Sequence, residues 1–294
     1  MIDLSGLYPP IVTAFDDNEN IAYDKLQLNL QHWVSQPLDG VVMPGSNSEA
    51  AFMTEDEHIS IMKVCADSLK GTNKRLIAGT GMETTAGTIK MTQIAGRLGA
   101  AAALILPPHF FKASMKHDVL ISHYYAVADE SPIPILVYNV PAFTGVDITL
   151  ETMIALANHP MIIGAKDSSA NVVKMAHVLA AVPDFQVFAG TGSALLPFLS
   201  IGGCGGVMAL ANFAAKPLRQ LYEAFNNGNM KEATRIQLSL AHINAAVTSQ
   251  YGVSGLKYAM DRSGFYGGPT RRPLLALGES DRRKIDQLLI NLDL

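Results

Sequence analysis

Met161-Ile162-Ile163-Gly164-Ala165-Lys166-Asp167-Ser168-Ser169 is an apolar run that ends on a lysine and then turns polar. Five apolar residues bounded in this way read as a buried strand. Working outward, seven further short runs of the same kind recur: Pro10-Ile11-Val12-Thr13, Gly40-Val41-Val42-Met43, Leu76-Ile77-Ala78-Gly79, Ala103-Leu104-Ile105-Leu106, Ile135-Leu136-Val137-Tyr138, Gln186-Val187-Phe188-Ala189 and Gly206-Val207-Met208-Ala209. Within the first run, the strand proper is read at Ile162-Ile163-Gly164-Ala165. Each gap between runs is long enough for a helix and two loops, the connection that parallel strands require. Eight such units in roughly 215 residues match the size of an α/β protein with a (β/α)8 TIM barrel. A doubly wound open sheet also alternates strand and helix, but it carries a Gly-rich fingerprint after its first strand, where this chain has Thr13-Ala14-Phe15-Asp16-Asp17.

Residues 1–215 are therefore expected to form the barrel, and 216–294 a C-terminal helical segment broken at Asn226-Asn227-Gly228-Asn229 and at Tyr266-Gly267-Gly268-Pro269. A barrel needs only one helix after its eighth strand, so the rest should pack on the barrel or against another subunit. Gly202-Gly203-Cys204-Gly205-Gly206 resembles a phosphate cradle but lacks the Lys-Ser/Thr ending and leads into a strand, so it reads as a tight entry turn.

Composition narrows the functional classes. With 294 residues, 49% hydrophobic and 16% charged, the chain can bury a large core, and so little charge argues for surface covered in an oligomer. The net charge of −4, without a basic run, argues against a nucleic-acid partner. No signal-like amino terminus and no stretch of membrane-spanning length occur, so a cytoplasmic protein is expected. Cys65 and Cys204 form no C-x-x-C pair, and the eight histidines show no H-x-H or H-E-x-x-H spacing, so no local metal motif is present. The thirteen methionines read as core filler.

Barrel active sites lie at the C-terminal strand ends, which here bring Thr13, Gly45-Ser46-Asn47-Ser48-Glu49, Gly79-Thr80-Gly81, Pro107-Pro108, Tyr138-Asn139, Lys166 and Gly190-Thr191-Gly192 to one mouth. Most lysines at strand ends reach for solvent. An apolar setting instead favours the neutral amine, which attacks carbonyls. Tyr138 could serve as the acid and base of imine chemistry, and Ser46 with Gly-flanked N–H groups could hold a carboxylate. A strand tyrosine is otherwise an ordinary half-buried ring with a bonded hydroxyl.

Three motifs occur in order along these strands: Gly45-Ser46-Asn47-Ser48-Glu49, Tyr138-Asn139-Val140-Pro141 and Gly164-Ala165-Lys166-Asp167-Ser168. Together they resemble the dihydrodipicolinate synthase and N-acetylneuraminate lyase family of pyruvate-dependent class I aldolases, over nearly the whole chain. The resemblance implies that Lys166 forms the Schiff base with pyruvate or another 2-oxo acid, that Tyr138 shuttles the proton, and that Ser46 and Asn47 bind the carboxylate. It also implies a homotetramer without metal or organic cofactor, acting on a small 2-oxo acid and an aldehyde. Ser46 is a second candidate for the proton relay, and Ser168, Gly190 and Phe143 complete the substrate-binding candidates.

Two positions depart from the synthase pattern. Phe143 stands where synthases have an arginine that grips the aldehyde's carboxylate, and Phe110-Phe111 stand where a Tyr-Tyr pair extends the proton relay into a neighbouring subunit. None of these three rings donates a proton or binds an anion. Gly45-Ser46-Asn47 with Phe52-Met53-Thr54, Asn244-Ala245-Ala246-Val247-Thr248 and Gly264-Phe265-Tyr266-Gly267-Gly268-Pro269 look more like the 4-hydroxy-2-oxoglutarate aldolase branch, apart from Ser48 in place of a glycine. A 2-keto-3-deoxy sugar-acid aldolase is a related reading. Dihydrodipicolinate synthesis, a non-catalytic 2-oxo-acid binding protein and a metal-dependent aldolase are the alternatives.

Overall fold

The computed structural model describes residues 2–290 and 292. Eight parallel strands, β1 Gly6–Tyr8, β2 Gly40–Val42, β3 Arg75–Gly79, β4 Ala102–Ile105, β5 Ile135–Asn139, β6 Ile162–Asp167, β7 Gln186–Ala189 and β8 Gly205–Val207, hydrogen-bond in the order β1-β8-β7-β6-β5-β4-β3-β2. A parallel bridge from Pro10 to Val42 joins the two ends and makes the sheet a barrel. Helices α1 Tyr23–Ser35, α2 Glu55–Leu69, α3 Thr85–Arg97, α4 His117–Asp129, the one-turn α5 Pro141–Thr144, α6 Leu150–Ala157, α7 Val172–Ala181 and α8 Leu195–Ser200 fall between the strands. Helix α9, Ala215–Asn226, follows β8 as the eighth barrel helix, and α10 Met230–Ser239, α11 Ala241–Ala245, α12 Gly252–Arg262 and α13 Glu279–Ile290 lie beyond it.

Local chemistry explains these elements. In α1 the buried residues Leu26, Asn29, Leu30 and Trp33 recur at helical spacing, giving one face to the barrel. Helix α2 opens on a capping box: Thr54 Oγ1 accepts from the Glu57 N–H at 3.2 Å, and Glu57 Oε2 accepts from the Thr54 N–H at 2.8 Å. Along the strands, side chains alternate. Tyr8, Val42, Ile77, Leu104, Leu136, Tyr138, Ile163, Phe188 and Val207 belong to a cluster that fills the barrel interior. Their neighbours Leu7, Val41, Ala78, Ala103, Val137, Ala165 and Val187 pack outward against the helices.

The first strand departs from the sequence reading. Pro10-Ile11-Val12-Thr13 is not the strand paired with β8; that strand is Gly6-Leu7-Tyr8, in register with Gly205-Gly206-Val207. A proline lacks the N–H that a ladder needs, and residues 9–11 serve instead to close the barrel, with the Val42 N–H donating to Pro9 O and the Ile11 N–H to Val42 O. β8 also ends sooner than expected, since Ala209–Asn212 turns into a short 3-10 helix.

Among the contacts that tie the C-terminal extension to the barrel, three stand near its functional end. Tyr266 exchanges two hydrogen bonds with the side chain of Asn29 on α1, at 2.7 and 2.9 Å, so the Tyr266-Gly267-Gly268-Pro269 break is a docking segment as well as a turn. Asn244 of α11 donates to Thr191 Oγ1 and Ser193 Oγ and accepts from the Gly192 N–H, holding the loop after β7. Lys257 of α12 forms an ion pair with Glu49, Nζ to Oε1 2.6 Å, with both side chains about 1% exposed. The contact lacks hydrogen-bond alignment at Glu49 Oε1, while the Lys257 ammonium donates to Pro269 O at 2.7 Å and stands 4.6 Å from the Phe15 ring centre. Burial lowers the Lys257 pKa, and the Glu49 carboxylate opposes that shift. Removing one partner of a buried pair strands the other charge, so Lys257→Met is expected to cost about 3–5 kcal/mol of unfolding free energy. Urea unfolding of both proteins measures it, and a loss near zero would show that solvent reaches Glu49.

Candidate active site

Lys166 lies inside β6, one residue before its end, and is 4% exposed. Strict alternation from the inward Ile163 would aim Ala165 inward and Lys166 out toward the helices. The register breaks this rule: Ile135 pairs with Ile162 but Leu136 pairs with Gly164, so β6 carries one extra residue at Ile163. A bulge of this kind re-aims the side chains that follow it. Beyond it Tyr138 pairs with Lys166, and both face the barrel interior. Gly164 suits the bulge because a Cβ there would lie 2.3 Å from the carbonyl oxygen of Gln186 on β7.

The Lys166 ammonium nitrogen stands 3.9 Å from the centre of the Tyr138 ring, within reach of a cation–π attraction. Tyr138 Oη lies 3.5 Å from Ser46 Oγ, which the first turn after Gly45 delivers from the loop following β2. Burial on its own would raise the Tyr138 pKa. The Lys166 charge, with hydrogen bonds from Ser46, Lys166 and Ser168, outweighs it and brings the phenol below its ordinary value of 10.0. A proton can thus leave and return to this oxygen more readily than in free tyrosine.

The loop carrying Ser46 is fixed from beneath. Ser48 is fully buried; its hydroxyl donates to Ile11 O at 2.5 Å and accepts from the Gly45 N–H at 3.0 Å. Thr13 Oγ1 donates to Ser48 O at 2.7 Å. Ser48, which departs from the glycine of the resembled branch, is thus the residue that staples its loop to the segment 11–13 beyond β1. Glu49 follows in the left-handed region, φ 58°, where the buried ion pair with Lys257 holds it. Asn47 is half-buried beside Ser46.

On the other side, the Ser168 N–H donates to Asn139 O and the Gly190 N–H to Asp167 O, each at 2.8 Å. Gly190 suits this place because a Cβ would come 2.7 Å from the backbone oxygen of Asp167 and from Ser168 Cα. Lys166, Tyr138, Ser46, Ser168 and Gly190 therefore converge, all at the C-terminal ends of their strands. Phe143 sits on α5 just beyond β5, 69% exposed, and Phe110 and Phe111 follow β4, 75% and 72% exposed. Phe110 and Phe111 pack edge to face, with ring centres 5.0 Å apart. Among the described residues no three His, Cys, Asp or Glu side chains gather as a metal site, and no helix is long and apolar enough to cross a membrane.

Sequence reasoning missed a polar cluster behind this site. Asn139 and Asp167 are buried on the outer face of β5 and β6, against the buried Lys174 of α7, and Asp147 joins them. The signal was available in part, because Asn139 and Asp167 directly follow Tyr138 and Lys166 in their motifs.

A buried lysine beside a tyrosine, at the C-terminal mouth of a (β/α)8 barrel, is an arrangement that suits a carbon–carbon lyase of the class I aldolase type. Comparison with known proteins agrees. The model of the dihydrodipicolinate synthetase family matches residues 3–292, and this chain belongs to that family. Over 281 residues it is 31% identical to the 4-hydroxy-tetrahydrodipicolinate synthase of Caldicellulosiruptor saccharolyticus, covering 96% of this chain and 94% of that one. It is 32% identical over 293 residues to an uncharacterized DapA-like lyase of Halobacterium salinarum, covering 100% and 95%. A crystal structure of dihydrodipicolinate synthase from Bacillus anthracis superposes with a TM-score of 0.94 at 24% identity, covering 100% of both chains, a likeness of fold.

Proposed function

We propose that this lyase reversibly cleaves a 4-hydroxy-2-oxo acid, such as 4-hydroxy-2-oxoglutarate or a 2-keto-3-deoxy sugar acid, to pyruvate and an aldehyde through an imine on Lys166. The observation that supports the chemistry is the Lys166 ammonium packed 3.9 Å from the Tyr138 ring, with the tyrosine hydroxyl in reach of Ser46.

In this reading the neutral Lys166 amine adds to C2 of the substrate, and Tyr138 delivers the proton with which water departs, leaving an iminium. Tyr138, now a phenolate, takes the proton of the C4 hydroxyl. The C3–C4 bond breaks, its electron pair passes into the iminium to give an enamine, and the aldehyde leaves. Protonation at C3 and hydrolysis then release pyruvate and restore the amine. Ser46 and Asn47, with Ser168 and Gly190 opposite, are the groups we assign to the substrate carboxylate. The assembly we assign is a homotetramer, as the resemblance implies.

Phe143 supports an aldehyde without a carboxylate, which the sugar acid releases, whereas 4-hydroxy-2-oxoglutarate releases anionic glyoxylate. An arginine on α5 would hold a carboxylate by paired, charge-assisted hydrogen bonds, whereas an exposed phenyl ring offers apolar contact. The second reading is 4-hydroxy-tetrahydrodipicolinate synthesis, the activity for which the Caldicellulosiruptor relative is named. One comparison separates them: kcat/KM for cleavage of 4-hydroxy-2-oxoglutarate and of a 2-keto-3-deoxy sugar acid against condensation of pyruvate with aspartate semialdehyde. Cleavage of at least one of the first pair is expected to exceed the condensation by about tenfold or more, the scale of a lost ion-paired contact of 1.5–3 kcal/mol. Aspartate semialdehyde as the better substrate would overturn the assignment of substrate and leave the lysine chemistry in place.

A further inference from the structure

The residues directly after the two reactive side chains, Asn139 and Asp167, face outward as a register pair and are 0% exposed. The Asn139 amide nitrogen donates to Asp167 Oδ2 and to Asp147 Oδ1, each at 2.8 Å, and its oxygen accepts from the Ile148 N–H at 3.0 Å. Asp167 Oδ1 accepts from Ser169 Oγ at 2.6 Å. Lys174, reaching back from α7 and 8% exposed, donates to Asp147 Oδ1 at 2.7 Å and to Ile148 O at 3.1 Å, and its ammonium lies 3.7 Å from Asp167 Oδ2. Two carboxylates thus converge on one amide and one ammonium. Every donor of the asparagine has a partner, so the bridge has one geometry.

This placement has a mechanical meaning. The strands that carry Tyr138 and Lys166 end within one residue of these side chains, and the bulge at Ile163 shifts their register once. Beyond the strand ends no further backbone ladder among the described residues holds the two segments together, so side chains there set their final spacing. A side-chain bridge one residue beyond the reactive pair, on the opposite face, pins both strands where slippage would most displace the lysine from the phenol. A displacement of about 1 Å at a reacting centre costs up to roughly 10²-fold in rate.

Building on the imine reading above, we propose that Asn139, Asp167 and Lys174 are positioning residues, a latch behind the sheet that holds the Tyr138 hydroxyl against Lys166. The latch acts through Tyr138, so removing it costs rate only while that hydroxyl is present. A purely structural cluster would instead lower stability and leave its kinetic effect independent of Tyr138.

The test is a double-mutant cycle read by exchange of the pyruvate methyl protons for deuterium, which needs the imine and a proton shuttle but no aldehyde. Asn139→Ala is expected to slow exchange by roughly 10- to 100-fold in the otherwise unaltered protein, and by less than about twofold in the Tyr138→Phe background. Lys174→Met should behave alike, and Lys174→Arg, which keeps the cation, should recover most of the rate. If Asn139→Ala does not fold, the two Lys174 variants carry the cycle. Equal losses with and without the tyrosine hydroxyl, or folded variants that exchange within about twofold of the parent, would overturn the latch alone. No exchange by the unaltered protein would overturn the imine reading together with it.

Discussion

Lys166→Ala is expected to abolish turnover, lowering kcat by roughly 10⁴–10⁶-fold, the range for removing a covalent nucleophile. The size follows from what the amine does in the proposed reaction. It supplies the bond to C2 and, once protonated as an iminium, the electron sink that makes breaking of the C3–C4 bond possible. No other described lysine shares its surroundings: Lys174 is tied to two carboxylates and Lys257 to Glu49. The substitution removes a charge that is 4% exposed and packs against an aromatic ring, so the fold should survive it, as circular dichroism and thermal unfolding would show. A folded alanine variant with activity within about tenfold of the parent would place the nucleophile elsewhere.

Tyr138→Phe should lower kcat by roughly 10²–10⁴-fold, the contribution of a positioned general acid–base group. The ring remains in the barrel cluster, and only one oxygen is lost. A second readout is the pH profile. The Lys166 charge and the hydrogen bonds from Ser46, Lys166 and Ser168 overcome the effect of burial and lower the Tyr138 pKa. The limb of the kcat/KM profile that reports this group in the free protein should therefore fall below the pH at which free tyrosine titrates. Ser46→Ala removes one hydrogen bond that favours the phenolate, so it should move the same limb to higher pH. In Tyr138→Phe that limb should vanish. A phenylalanine variant near the parent rate would assign the proton transfer to another group, and Ser46 is then the first to test.

Much of this was legible in the sequence because strands buried on both faces read as continuous apolar runs. Runs β2 through β8 lie within a residue or two of their expected places, with β6 extended to include Lys166 and Asp167. The first strand was misplaced because apolar residues 10–13 look more strand-like than Gly6-Leu7-Tyr8, and only pairing with β8 distinguishes them. The reactive lysine could be singled out from its apolar setting, yet its direction could not. Period-two counting from Ile163 points it outward, and a bulge is a property of two paired strands that no single run displays. The same reason hides Lys257 and Asn244, whose partners Glu49 and Gly192 lie far away in sequence. The register pair Asn139 and Asp167 was nearer to view. Each stands next to a residue already chosen for its chemistry, but their side chains meet only because β5 and β6 are neighbours.

The most direct test of the imine is chemical trapping. The protein is incubated with pyruvate and sodium borohydride, and the adduct is measured by intact mass and then located by peptide mapping. The account predicts one reduced pyruvyl group per chain, on the peptide containing Lys166, and none on the Lys166→Ala protein. An adduct on a different lysine, or no adduct on a preparation that turns over substrate, would contradict it.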